Sequence, residues 1–162
     1  MVKAKLINAE DFKKYGSFNN IYNHEWPHLG GSPTTFYREL MIHDAKGTDS
    51  VGMSCCFIEK RPFEVDAFEK HDTACETLIF VDQDVLMPMA PATCEGCYPE
   101  EKDMEVFFCP KGTMLTMRPG VWHMGAYVLG DEPVSVLTVL PERIYVNDCK
   151  VHKFEKIFTF EV

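Results

Sequence analysis

Residues 105–128 read EVFFCPKGTMLTMRPGVWHMGAYV. Three apolar runs, near 105–109, 113–118 and 122–128, are separated by Pro110-Lys111-Gly112 and by Pro119-Gly120. Each run has strand length rather than helix length, and the Pro and Gly at each join suit tight reversals. The stretch therefore predicts successive β-strands folded back on one another. In a strand, neighbouring side chains point to opposite faces, so Trp122 and His123 face opposite sides just after the Pro119-Gly120 turn.

The same signature extends in both directions. Upstream, strands are expected over Thr34–Ile42, Gly52–Lys60, Phe63–Phe68, Glu76–Val81 and Val85–Met89, with a corner at Arg61-Pro62 and a turn at Asp82-Gln83-Asp84. In Phe63–Phe68, alternation puts Phe63, Val65 and Ala67 on one face. Residues 91–104 carry Pro91, Gly96, Pro99 and several acids and read as a loop. Downstream, strands are expected near 133–140, 143–147 and 151–160, with a turn at Gly130-Asp131. A single short helix leads the chain, with Asn8 as N-cap, Glu10 and Asp11 in its first turn, Phe12 and Tyr15 on one face, and Gly16 ending it. Many short strands with Gly and Pro turns predict an all-β sandwich or closed barrel. No repeat, low-complexity tract or linker divides the chain, so one domain over residues 1–162 is expected.

The composition fits that fold and limits the partners. The 162 residues are 46% hydrophobic, with 12 Phe and 6 Tyr, enough for a real core. Sixteen Lys and Arg against 25 Asp and Glu give a net charge of −9. That excludes the basic face a nucleic-acid partner requires and disfavours an anionic membrane. A small anionic substrate is still compatible, because a local cluster of cations can invert the field inside a pocket. The N-terminus lacks the apolar core of a signal peptide and no apolar run is long enough to span a bilayer, so a cytoplasmic protein is expected. Seven Cys then read as buried thiols rather than a disulfide framework.

Two segments carry chemistry. One is Glu69-Lys70-His71 followed by Glu76, an E-x-H-x4-E pattern; the other is Gly112-x5-Arg118-Pro119-Gly120-Val121-Trp122-His123. They resemble the two motifs of the cupin superfamily, H-x-H-x(3–4)-E and G-x5-P-x-G-x2-H. Glu69 stands where the first cupin His would be, and Tyr127 where the second motif often has Asn. E-[RK]-H before a strand and G-V-W-H after a turn further resemble the ureidoglycolate lyase family. The opening Leu6-Ile7-Asn8-Ala9-Glu10-Asp11-Phe12-x2-Tyr15-Gly16, the stretch Ile58–Val65, and the paired strands Thr77–Val81 and Val85–Ala90 add to that resemblance. Glu76 replaces a Gln common in that family, and a carboxylate is a far better metal ligand than an amide.

The resemblance implies a cupin-type double-stranded β-helix, or jelly-roll barrel. It also implies a carbon–nitrogen lyase that releases glyoxylate and urea from ureidoglycolate in allantoin or purine nitrogen catabolism. Such a reaction needs a base for the C2 hydroxyl, an acid for the departing nitrogen, and donors for the carboxylate. His71, His123, Glu69 and Glu76 are the candidate catalytic residues. Arg61, Lys60, Tyr145 and Trp122 are the candidate substrate-binding residues, with Arg118 a weaker one. His71, Glu76 and His123 also form a ligand set for a divalent metal such as Zn, Mn, Ni or Fe, with Glu69 as a fourth. Homodimerisation is expected through an edge strand, with the apolar C-terminal strand ending Phe158-Thr159-Phe160 as the candidate edge.

Blander readings stand beside these. Glu76 could begin a strand at a solvent edge. His24-Glu25-x-x-His28 has Pro27 inside it and reads as loop; His43 lies outside the motifs and His152 reads as a surface strand residue. Cys94-x2-Cys97 reads as chance thiols, or as half of a structural zinc site completed by Cys75 or Cys109. A metal-dependent isomerase or oxygenase acting on another small acid, and a non-catalytic small-ligand-binding cupin, are the competing functions.

Overall fold

The computed structural model describes residues 1–47 and 50–162. In chain order the elements are β1 (Val2–Leu6), α1 (Ala9–Phe12), β2 (Gly16–Asn20), β3 (His28–Gly31), β4 (Thr34–Tyr37), β5 (Val51–Ile58), β6 (Glu64–Lys70), β7 (Glu76–Phe80) and β8 (Val85–Ala90). There follow β9 (Glu105–Cys109), β10 (Thr113–Met117), β11 (Trp122–His123), β12 (Tyr127–Val128), β13 (Val134–Pro141), α2 (Ile144–Asn147) and β14 (Lys150–Glu161). Among the described residues no helix is long and apolar enough to cross a membrane.

Two sheets pack on each other. One has strand order β2-β10-β7-β13-β5; the other runs β11-β6-β14-β1-β9-β8-β12, and β11 also pairs with β8, so that sheet curls closed on itself. Strand β8 shows why the chain needs both layers: all six of its residues are buried. Val85, Met87 and Met89 enter the core between the sheets, with Leu78, Phe80, Phe107 and Leu115. Leu86 and Ala90 enter a second core inside the closed sheet, with Val106, Trp122 and Phe160. The opening helix forms as expected: the Asn8 side chain accepts from the Asp11 N–H at 3.0 Å, and Phe12 and Tyr15 are fully buried with ring centroids 5.8 Å apart. Gly16 follows it because a Cβ there would meet the Thr116 carbonyl oxygen at 1.8 Å. The predominantly β, cupin-type architecture is thus the one the motifs implied.

Several expectations are corrected. Residues 143–147 are not a strand: Arg143 adopts φ 61, and the N–H groups of Val146 and Asn147 turn back to its carbonyl, giving α2. The strand expected at Thr34–Ile42 stops at Tyr37 and, among the described residues, pairs only with β3, with Glu39 at φ 52 beyond it. The run 122–128 splits into β11 and β12. Val65 and Phe68 share the second core, so strict alternation fails along β6; the opposing β14 shifts register between Lys153 and Phe158. The C-terminal strand is not a free edge either. It lies between β6 and β1; among the described residues, β2 and β5 are the edges of the five-stranded sheet and β12 ends the other.

The cysteines differ as well. Cys94 and Cys97 are joined in a disulfide, which takes both sulfurs from a zinc site, while Cys55 and Cys56 are exposed and only Cys75 and Cys109 are buried thiols.

Candidate active site

The fold brings the two motifs together between the sheets. His71 follows the end of β6, and a short turn leads to Glu76 at the start of β7. There alternation puts Glu76 on the inward face shared by Leu78 and Phe80. The Pro119-Gly120 turn, with Gly120 at φ 81, delivers β11, and the Gly120 N–H donates to the His71 carbonyl at 2.6 Å. One motif's turn is thereby tied to the other motif's histidine. In β11, His123 sits in register with Glu69 of β6 on one side and Met89 of β8 on the other.

Glu76, His71 and His123 are all buried, which makes their mutual contacts decisive. Glu76 Oε2 lies 2.8 Å from His123 Nε2 and 3.5 Å from His71 Nε2, and the two rings are 5.8 Å apart. Both rings are anchored through the opposite nitrogen. His71 Nδ1–H donates to the Asp148 carbonyl at 2.5 Å, and His123 Nδ1–H to the Val121 carbonyl at 3.2 Å. Nδ1 anchoring aims each Nε2 at the carboxylate. Glu76 Oε2 and His123 Nε2 nonetheless make no aligned hydrogen bond, close as they are.

Buried charges require partners, and this trio supplies them. Burial opposes charging Glu76, but the positive charge available on His123 and His71 outweighs it and holds the carboxyl down at about 2. Burial likewise opposes charging His71, and the Glu76 carboxylate, the Asp148 carbonyl and the Glu69 charge overcome it, pushing the imidazole up to about 9. His123 is raised against its own burial by Glu76 first and Glu69 second.

The trio also fits a divalent cation. Its three donor atoms lie within 4.8 Å of one another, two of them are buried without a hydrogen-bond partner among the described residues, and both imidazoles present Nε2 with Nδ1 tied to a carbonyl. Donors sharing a first-row ion at ~2.0–2.2 Å stand roughly 3 Å apart, close to the spacing about Glu76.

Glu69 is the half-exposed member, its side chain 40% accessible, with Oε1 3.7 Å from His123 Nε2. Its other oxygen accepts from the Cys149 thiol at 3.4 Å. Burial and then the Glu69 charge push that thiol up to about 11, so it stays a neutral donor. Glu69 also lines a cavity of about 360 Å3 with Cys56, Ile58, Arg61, Met124 and Gly125. Arg61 stacks over Tyr127 at 4.0 Å and donates to the Gly125 carbonyl at 2.6 Å, while its Nε has no partner among the described residues.

The other expected contacts do not converge here. Lys60 is paired with Asp131 at 2.7 Å and Tyr145 is 70% exposed on α2. Arg118 is exposed. Trp122 points into the second core, where Nε1–H donates to Thr93 Oγ1 at 2.9 Å. A larger cavity, about 730 Å3, lies on that side of β6 and β11, lined by Lys70, Asp72, Tyr98, Trp122 and Lys150. His71, Glu76 and His123 line neither cavity; Glu69, 3.7 Å from His123, is the acidic motif residue that reaches the smaller one. His24 and His28 stay in the exposed β3–β4 region, while His152 stacks on Tyr98 at 3.8 Å. Sequence reading missed Asp148 and Cys149, which lie in no motif and reach the site only because α2 turns the chain back beside it.

Solved structures are similar to this chain at low identity. A dTDP sugar isomerase from Desulfovibrio desulfuricans is similar with a TM-score of 0.51 and 12% identity, covering 86% of this chain and 85% of that one. RmlC from Streptococcus suis is similar over 86% of this chain and 70% of that one, at 12% identity and TM-score 0.43. Oxalate decarboxylase from Bacillus subtilis is similar over 78% of this chain and 34% of that one, at 12% identity and TM-score 0.41. No curated protein matches. At these identities the first likeness speaks for the fold alone, and it agrees with the cupin-type architecture. The family model described as ureidoglycolate lyase matches residues 1–161, which include both motifs and every residue of the buried trio, and the chain belongs to that family.

Proposed function

We propose that this chain is a carbon–nitrogen lyase that splits ureidoglycolate into glyoxylate and urea in allantoin or purine nitrogen catabolism. The observation that supports it most is the setting of Glu76, a buried carboxylate between two Nε2 atoms whose rings are both anchored through Nδ1. The reaction moves protons and consumes no water. The C2 hydroxyl loses its proton, its oxygen forms the new C=O, the C2–N bond breaks, and the departing nitrogen gains a proton.

Glu69, accessible from the cavity, takes the hydroxyl proton. His71, protonated near neutrality by its neighbours, returns one to the nitrogen, and Glu76 holds both imidazoles in place. Arg61, on the cavity wall, meets the substrate carboxylate; in a chain of net charge −9 a local cation of this kind is required. His71, Glu76 and His123 would alternatively hold Zn, Mn, Ni or Fe, which would supply Lewis-acid polarisation of a substrate oxygen. The partnerless Glu76 Oε2 and His123 Nε2 favour that second reading, metal-dependent chemistry on a small organic acid.

His71→Asn tests the assignment. Turnover should fall by at least about 100-fold with the circular dichroism spectrum unchanged. Retained turnover would remove His71 as the acid.

The reading extends to a homodimer and to a cytosolic setting, in which the Cys94–Cys97 pair would be reduced. The edge strand β5 reads VGMSCCFI, with no charged residue and with Met53 70% and Phe57 75% exposed. Edge strands are ordinarily guarded by charge or Pro. A second copy pairing antiparallel with β5 sets no like charges opposite one another, which other acidic surfaces of this chain would do.

A further inference from the structure

The α2–β14 junction touches both ends of the E-x-H motif. Asp148 lies just after α2, and its N–H still closes that helix on the Ile144 carbonyl at 2.7 Å. Its own carbonyl accepts the His71 Nδ1–H. Its carboxylate accepts from three donors immediately beyond His71: the Asp72 N–H at 3.0 Å, the Thr73 N–H at 2.7 Å and the Thr73 hydroxyl at 2.5 Å. The next residue, Cys149, donates its thiol to Glu69.

Resting on the function proposed above, we infer that Asp148 and Cys149 are positioning residues for the reaction: Asp148 fixes the direction of His71 Nε2, and Cys149 fixes the carboxylate of Glu69. The carboxylate of Asp148 contributes through the backbone. By gripping the turn after His71 at three points, it keeps its own carbonyl within reach of the imidazole. Without that grip the carbonyl has no reason to stay at hydrogen-bond distance, and the ring is free to rotate about its side-chain bonds. Cys149 supplies one S–H donor to one carboxylate oxygen, leaving the other toward His123. Both residues sit outside the two motifs, and neither contributes a donor atom to the buried trio.

The test uses the full-length chain with four variants, Asp148→Ala, Asp148→Asn, Cys149→Ala and Cys149→Ser. Wild type should show a slowly exchanging, downfield Nδ1 proton for His71 in nuclear magnetic resonance spectra. Asp148→Ala should lose it, with kcat for ureidoglycolate reduced about 10- to 100-fold and KM changed little. Asp148→Asn, which keeps one acceptor, should show the proton in faster exchange, and this variant decides the matter if the alanine variant fails to fold. Cys149→Ser restores a donor and should keep kcat near wild type, whereas Cys149→Ala should lower it. An unchanged His71 Nδ1 proton in both Asp148 variants, or equal kcat for Cys149→Ala and Cys149→Ser, would overturn the assignment. If wild type does not turn over ureidoglycolate, the functional reading fails, while the Nδ1 proton still decides the role of Asp148.

Discussion

Glu76→Gln keeps the shape of the side chain and removes the charge that binds the two motifs. In wild type the His71 imidazole is pushed from an ordinary 6.5 to about 9. That displacement corresponds to roughly 3 kcal/mol of preference for the charged ring in the folded state. Because the folded value is raised, this stabilisation is complete below pH 6.5 and is lost as pH rises through about 9. Glu76 shows the same attraction from the other side: held at about 2 instead of 4.5, it stabilises above pH 4.5 and loses that contribution as pH falls through about 2. The two are one interaction and do not add.

The Asp148 carbonyl and the Glu69 charge survive in the variant, so Glu76→Gln should forfeit the larger part of the His71 contribution, about 2 kcal/mol near pH 6. The assay is urea unfolding of metal-free protein between pH 6 and pH 9.5, comparing the two chains at each pH so that other titrations cancel. Wild type should be the more stable at the acidic end, and the gap should close as pH passes 9. A gap independent of pH, or none at pH 6, would refute the account of the buried trio.

Two further outcomes follow from the same geometry. Zinc or manganese added to metal-free wild type should bind with one-to-one stoichiometry by titration calorimetry, and His71→Ala should abolish it; substoichiometric binding counts against a built metal site. Replacing Met53 and Phe57 together by Lys should convert a dimer to a monomer in light scattering while leaving secondary structure unchanged. A monomeric wild type would refute the β5 interface.

The two motifs were legible because each histidine lies beside a turn written in the sequence. Pro119-Gly120 and the short run from His71 to Glu76 fix where the strands reverse, and alternation then fixes which neighbours share a face. Alternation does not say which face meets solvent. Trp122 was expected beside the substrate, yet the closed sheet gives β6 and β11 a second buried side, and the indole lies there. Glu76 could have been a strand end at the surface; pairing of β7 between β10 and β13 buries it. Lys60 lies just ahead of the site strand in sequence, and Tyr145 has the residue type of a pocket-lining donor, but neither reaches the site. An ion pair with Asp131 and a left-handed Arg143, both long-range or backbone facts, carry them elsewhere. Asp148 and Cys149 had no local signal, since their importance arises only where β14 is laid beside β6.

Purified protein incubated with ureidoglycolate and followed by carbon-13 magnetic resonance should produce glyoxylate and intact urea in equal amounts, at a rate proportional to protein concentration. Persistence of ureidoglycolate, or release of ammonia in place of urea, would contradict a lyase built on His71, Glu76 and His123.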